Sequence, residues 1–471
     1  MTTNPTRPVR DLLNAWFRIE ERGSTIPTEV FAGITTYLSL SFVFILNPAI
    51  LGAALPDKHG FLMSPASILL ATVITSACAT IAMGLVANLP LAVGPGIEVS
   101  AFFTYVLVRQ MALSWEEALL AVFVSGVLNV VLTAFSIRKK IVEAIPPGLK
   151  ASLLLAIGVF VFLVGLKLGN IVDVDRYTSP QFLNSAFWSS SSLRSGPFIL
   201  IVGLVISALL NVRRLRLPWG TLIGIIGAAI ACHLVGVHPT LDHGTANGWT
   251  QTVLKAFSRE TFGVWLKMSF WSGVIVMFVI DFVGGISKIY ALTEGTRIPR
   301  VDDKVPGLKR ALFVDGGATM AGGALGTSSL IAFVESRIGI EAGGQTGLMA
   351  VVCGVLMAAG GVFSRLLVLV PPQAASGTLI YVGILLITLN AKLLKKHGLR
   401  RFDYGIAALM SILVLATFQF DYAMFAGFAW YFAKSRKDKE SLKSTLWLGI
   451  VAVVMFVTIA PDLLSLIGSS H

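Results

Sequence analysis

The 471-residue chain has little charge: 13% of its residues are Asp, Glu, Lys or Arg, whereas 55% are hydrophobic. A soluble globular domain carries about a quarter charged residues, so a soluble fold is excluded and the chain is expected to lie almost wholly in a bilayer. Cysteine is scarce as well. Cys78, Cys232 and Cys353 each sit alone in an apolar run, without a Cys or His at metal-ligand spacing, so they read as packing residues and no metal or cofactor site is expected. The six histidines (His59, His233, His238, His243, His397, His471) are scattered. Neither HExxH nor G-x-S-x-G occurs, and the glycine-rich stretch 322–329 lacks the lysine of a phosphate loop, so no enzyme chemistry is expected. No short apolar core with a small-residue cleavage site precedes Phe31, so a cleaved signal peptide is not expected. Residues 10–21, with Leu12, Leu13, Trp16 and Phe17 among charges, read as an amphipathic helix lying along the interface.

Long apolar runs are what the chain does have. A spanning helix needs roughly 20 apolar residues. The first half offers seven runs: Phe31 to Leu51, Ala66 to Ala87, Leu89 to Val108, Glu116 to Ile137, Ala151 to Leu168, Pro197 to Leu210 and Trp219 to Val237. A polar stretch follows. The second half offers seven more: Met268 to Ile289, Leu308 to Leu325, Ser328 to Ile338, Thr346 to Val370, Ala374 to Leu394, Tyr404 to Phe418 and Tyr422 to Phe432. In each half the third run is broken by glycine, and an odd number per half sends the second copy into the membrane from the opposite side, the condition for an inverted repeat.

Charge tests this count. The net charge of +12 collects in short loops, where it sets membrane orientation and does not indicate nucleic acid. With Arg7, Arg10, Arg18 and Arg22 inside, the loops expected inside are Arg138 to Lys140, Arg213 to Arg216, Lys288 to Arg310 and Lys392 to Arg401, all basic. The run Lys434 to Lys443 also falls inside if the last two segments are separate short crossings. The expected organisation is an N-terminal cytoplasmic segment 1–30, a first repeat 31–237, a connector 238–267, a second repeat 268–433, and a basic loop with a C-terminal helix (Thr445 to Ala460) over 434–471.

Two features point to a site. Pro95 between Gly94 and Gly96, and the glycine-dense 322–329 stretch, both argue against continuous helix. At membrane depth an unwound backbone persists only when buried in protein or lining a polar cavity, and helices resuming at Ser100 and Ser328 are expected to aim N–H groups at that cavity. Close helix packing through glycine is the competing explanation for either break taken alone. The second feature is a set of acids in apolar runs, each costing about 2.5 kcal/mol or more at the bilayer centre. Glu98, Asp281, Asp315 and Glu335 qualify, with Asp281 and Glu335 the leading candidates for ligand and proton binding. A structural explanation pairs Glu335 with Arg337 or Asp281 with Lys288, and Asp315 either carries a proton or braces the adjoining break. Ser100, Ala101, Phe102, Gly326, Thr327 and Ser328 would supply backbone and aromatic contacts.

Several stretches carry a family resemblance. GSTIPTEVFAGITTY (23–37) with NPAIL (47–51), Gly94-Pro95-Gly96 with AFFTY (101–105), Ala144-Ile145-Pro146 with Leu149-Lys150, LGTSS (325–329) with VES (334–336), and AGGQTGL (342–348) together resemble the nucleobase-cation symporters, in the adenine/guanine/hypoxanthine permease branch. The resemblance implies an all-α membrane protein of fourteen segments in a 7+7 inverted repeat, with short extended stretches in two broken segments, core and gate domains, and usually a dimer. It maps the family's base- and proton-binding acids onto Asp281 and Glu335. The branch has Asp-Thr-Val-Gly-Thr where this chain has Asp281-Phe282-Val283-Gly284-Gly285, and a glycine and an asparagine in place of Glu98 and Ser100. Glu98 and Phe282 are therefore expected to reshape the pocket. The expected function is proton-coupled uptake of a nucleobase, most simply a purine, across the plasma (inner) membrane with the N-terminus cytoplasmic. A channel or uniporter, and a carrier of the same fold for a non-purine solute, remain open.

Overall fold

The computed structural model describes residues 7–57, 60–135, 146–173, 181–182, 191–211, 220–237, 250–293, 305–361, 370–396, 401–437, 446, 448–453 and 455–456. The first half runs α1 (Arg7–Phe17), α2 (Ile26–Leu40), α3 (Val43–Leu51), α4 (Pro65–Ala82), β1 (Val93–Pro95), α5 (Ile97–Ala101), α6 (Trp115–Ala134), α7 (Pro147–Leu168), β2 (Val172–Asp173), β3 (Gln181–Phe182), α8 (Ser191–Leu210) and α9 (Gly220–Leu234). The second half runs α10 (Met268–Thr293), α11 (Leu308–Leu325), β4 (Leu330–Ala332), α12 (Ser336–Glu341), α13 (Gly347–Gly360), α14 (Ser376–Lys396), α15 (Arg401–Thr417) and α16 (Phe420–Lys437). Among the described residues, six helices are long and apolar enough to cross a bilayer, and four more are apolar but shorter.

Start signals in the sequence account for several boundaries. Thr25 accepts from the Thr28 N–H ahead of Pro27 in α2, and Ser114 with Glu117 forms a reciprocal capping box on α6. In α13 the cap comes from both halves of the chain. Thr346 accepts from Leu348 N–H, and the fully buried Glu29 carboxylate of α2 accepts from the N–H groups of Gln345, Thr346 and Met349 at 2.8, 3.2 and 3.3 Å. The two stretches that carry the family resemblance most specifically, 23–37 and 342–348, are thus bound to each other.

Small residues let the helices approach closely, as bilayer packing favours. A Cβ at Gly323 of α11 would fall 2.6 Å from Phe123 N and 2.7 Å from Leu119 O of α6, and one at Gly383 of α14 would fall 2.7 Å from Phe162 N of α7. Helices α6 and α11, α4 and α13, and α7 and α14 pack along their lengths. Lys267 pairs with Glu117 at 2.6 Å and Lys255 with Glu116 at 3.9 Å, tying the 250–267 stretch to the start of α6.

Several expectations are corrected. Helix resumes after the first break at Ile97, not Ser100, and after the second at Ser336, not Ser328, because the backbone of Leu330–Ala332 is engaged in a strand ladder. Lys288 belongs to α10 rather than to a basic loop. Cys78 is exposed, on an outward face of α4. The described part of the connector, from residue 250, contains tight 3₁₀ turns over Lys255–Phe257 and Arg259–Leu266. The loops Arg138 to Lys140 and Arg213 to Arg216, and most of the C-terminal stretch, lie outside the described residues.

Candidate functional site

Strands β1 and β4 meet antiparallel, with Val93 opposite Ala332, Gly94 opposite Ile331 and Pro95 opposite Leu330. Gly96 N–H donating to Ser329 O at 3.1 Å and Phe333 N–H donating to Ala92 O at 2.9 Å extend the pairing on either side. Each break thereby satisfies the polar backbone of the other at membrane depth. The glycines are required for the approach: a Cβ at Gly94 would meet the Phe333 ring at 2.2 Å and one at Gly96 would meet Ile331 Cδ1 at 2.6 Å. Gly326, at φ +100°, turns the chain out of α11 ahead of β4.

Beside this crossing lies a closed network of short polar side chains. Asn47 of α3 donates from Nδ2 to Thr72 at 2.7 Å and to Thr327 at 2.8 Å, and its Oδ1 accepts from Ser100 at 2.6 Å. The Ser100 and Ser328 hydroxyls lie 2.6 Å apart, and those of Thr72 and Thr327 3.1 Å apart. All five residues are at most 2% exposed. Of the expected site residues, Ser100, Thr327 and Ser328 are therefore brought together and bonded to one another.

The acids separate into two settings. Asp281, 1% exposed on α10, accepts a hydrogen bond from the Ser329 hydroxyl, which lies 2.9 Å from that of Thr319. Thr319 in turn donates to Leu330 O at 3.1 Å, so the chain from Asp281 ends on β4. Asp315 is buried in α11 one turn before Thr319. Phe102 and Phe282 are buried, and Phe282 stacks obliquely on Phe278 at 5.0 Å between centroids. Ala101 is buried at the end of α5.

The second setting is charged and in contact with solvent. Lys288 Nζ meets Glu98 Oε1 at 2.7 Å, with the two side chains 13% and 10% exposed. Glu335, partly buried just before α12, lies within electrostatic reach of both. Arg337 pairs instead with Glu341 at 3.0 Å. Of the pairings offered by the sequence as structural explanations, Lys288 takes Glu98 in place of Asp281 and Arg337 takes Glu341 in place of Glu335. The site thus presents an ammonium and two carboxylates together, able to donate to a ligand acceptor and accept from a ligand N–H at once.

Sequence reasoning offered Lys288 only as a structural partner for Asp281, and missed Asn47, Thr72, Thr319 and Ser329 as site residues. Lys288 stands seven residues after Asp281, two turns along the same helix face, so its place near the site was readable from helical periodicity. Asn47 lies in a stretch already noted for its resemblance.

A family model, Xan_ur_permease, described as a permease family, matches residues 27–425. The chain is 30% identical over 381 residues to the adenine permease AdeQ of Escherichia coli K12, covering 79% of this chain and 80% of that one. It is 30% identical over 459 residues to the guanine/hypoxanthine permease PbuG of Bacillus subtilis, covering 94% and 99%. Among solved structures, the transmembrane domain of the cyanobacterial bicarbonate transporter BicA superimposes with a TM-score of 0.60 at 12% identity, over 85% of this chain and 96% of that one. A murine Solute Carrier 26 family anion transporter in the inward-facing state gives a TM-score of 0.62 at 12% identity, over 87% and 68%. These two show a shared transporter fold. The chain belongs to the permease family and is a multi-pass membrane transporter, not an enzyme.

Proposed function

We propose that the chain is a secondary active transporter that takes up a nucleobase, specifically a purine, together with protons. The observation that carries this reading is the β1/β4 crossing, which gathers Asp281, Glu98, Lys288 and Glu335 around the one place where both broken segments meet. Glu335 would accept from the ring N–H edge of the base, and Asp281, joined to β4 through Ser329, would carry the coupling proton. Glu98, Ser100, Ala101, Phe102, Phe282, Gly326, Thr327 and Ser328 would frame the ligand, and Asp315 would support proton movement.

The architecture behind the proposal is a 7+7 inverted repeat over 31–237 and 268–433. Helix pairing supports it: exchanging each element for its counterpart seven segments on turns α6·α11 into α13·α4, α7·α15 into α14·α8, and α2·α13 into α10·α6, all of them packed pairs. Elements α2 to α6 and α10 to α13 would form the core, and α7 to α9 with α14 to α16 the gate, rocking against each other for alternating access. The protein would sit in the plasma membrane as a homodimer, N-terminus cytoplasmic.

Lys288 favours a narrower reading within the purines. An ammonium matches the O6/N7 acceptor edge of a 6-oxopurine, so guanine and hypoxanthine are preferred over adenine. Free inorganic anions are disfavoured, because Asp281, Glu98 and Glu335 outnumber the single lysine. Uptake of labelled adenine, guanine, hypoxanthine, xanthine and uracil into cells, with and without a proton uncoupler, tests both levels. Saturable guanine and hypoxanthine uptake that collapses with the uncoupler is expected. Undiminished uptake without a gradient overturns symport, and preference for adenine overturns the role given to Lys288.

A further inference from the structure

Away from the strand crossing, a cavity of about 810 Å³ opens where the end of α1, the turn after α4, the end of α6 and the start of α11 converge. Among the described residues its charged lining is of one sign: Arg18, Arg22, Lys309 and Arg310. Arg22 is 8% exposed and directs Nη1 to two carbonyls, Asn88 O at 2.7 Å and Gln345 O at 3.0 Å, which fix its guanidinium in place, with Glu29 and Glu21 within electrostatic reach. Lys309 donates only to Ala134 O at 3.3 Å, and Arg310 makes no ion pair among the described residues. Arg18 has a loose, exposed contact with Glu21 at 3.8 Å.

The eighteen-residue helix α11 begins at this cavity after Gly307, at φ +78°, with no side-chain cap. A Cβ at Gly307 would lie 2.6 Å from Ala87 O, so the glycine keeps the two walls close. Leu308 N–H donates to Val305 O at 3.2 Å, and the N–H groups of Lys309 and Arg310 add partial positive charge to that of the side chains. The remaining wall is apolar and exposed: Trp16 is 61%, Leu85 42% and Val86 48% exposed. Leu12, 67% exposed, precedes Trp16 by four residues on α1 and extends the same stripe, while Phe17 faces inward at 3%.

We propose that this cavity binds a phosphate-bearing anion, with the phosphate held by Lys309, Arg310, Arg18 and the start of α11. The exposed apolar wall alongside selects a phospholipid whose acyl chain follows Trp16, Leu85 and Val86. Basic pockets between helices at a membrane surface suit anionic headgroups in this way. Arg22, locked between the Asn88 and Gln345 carbonyls, forms the floor and connects the ligand to the α2/α13 joint.

The test uses the full-length protein in detergent, comparing phosphatidylglycerol, phosphatidylcholine and soluble glycerol phosphate by thermal melting and by native mass spectrometry of bound lipid. Phosphatidylglycerol is expected to raise Tm and to co-purify, whereas phosphatidylcholine does neither. In K309Q/R310Q, whose exposed side chains leave the fold intact, affinity for phosphatidylglycerol falls about ten-fold or more; K309R/R310K retains it. Equal protection by glycerol phosphate alone assigns the site to a soluble phosphate ligand and still supports it. Equal binding of phosphatidylcholine, or full phosphatidylglycerol binding by K309Q/R310Q, overturns the proposal.

Discussion

Two polar regions flank the strand crossing, and they are built on opposite principles. Around Asn47 every donor finds an acceptor within a dry set of hydroxyls and amides drawn from α3, α4, α5 and the stretch before β4. Around Lys288 the charges are formal: its ammonium pairs with Glu98, and Glu335 lies within electrostatic reach of both. A closed neutral network holds one geometry, because any change strands a buried polar group. A charged group can exchange partners when a ligand brings polar atoms of its own, since these replace the ion-pair contact that is given up. The first region is suited to fixing the two breaks against each other, and the second to meeting a ligand.

Substitutions separate these roles. The largest expected effect is at Glu335. Glu335→Gln should lower saturable purine uptake about a hundred-fold, as expected for losing a charge-assisted contact worth about 2–3 kcal/mol, with the melting temperature held. Uptake at the original level would move ligand binding out of the charged region. Next is the ion pair itself. Glu98→Gln leaves the Lys288 ammonium without its partner and should destabilise the protein by about 3 kcal/mol, most of which returns when Lys288→Met is added. Additive losses in that double-mutant cycle would mean that the two residues do not act as a pair. Asn47→Ala should cost about 1–3 kcal/mol of stability while uptake per folded molecule changes less than for Glu335→Gln; the reverse ranking would invert the assignment of roles. Smallest is Arg337→Gln, which removes an exposed pair with Glu341 and should alter stability by under about 0.5 kcal/mol with uptake intact.

Long apolar runs made most helices readable, and α11 has the bounds that hydropathy suggests, Leu308–Leu325. The second break was displaced because glycine has two uses in a membrane. Gly322 and Gly323 stay helical, with Gly323 packed on α6, whereas the chain turns at Gly326. The short apolar string Leu330–Ala332 has no periodicity to distinguish strand from helix, and its partner lies in the other half of the chain. Charge partners were harder still. Glu98 and Lys288 are 190 residues apart, so local spacing pointed to Asp281 and Arg337 as the pairing residues instead. Glu29 shows the same limit: its string was recognised, but not the helix 316 residues on that it caps.

The strand crossing also bears on how the protein is made. Val93–Pro95 leaves the ribosome long before Leu330–Ala332, and until then Val93 can bond Thr80 of its own half while Gly94 lacks its strand partner Ile331. The first half would therefore be expected to insert with part of its broken segment unpaired until the second half arrives. Chains truncated before Leu330 would be expected to leak or be degraded, and the two halves expressed as separate polypeptides would be expected to protect each other.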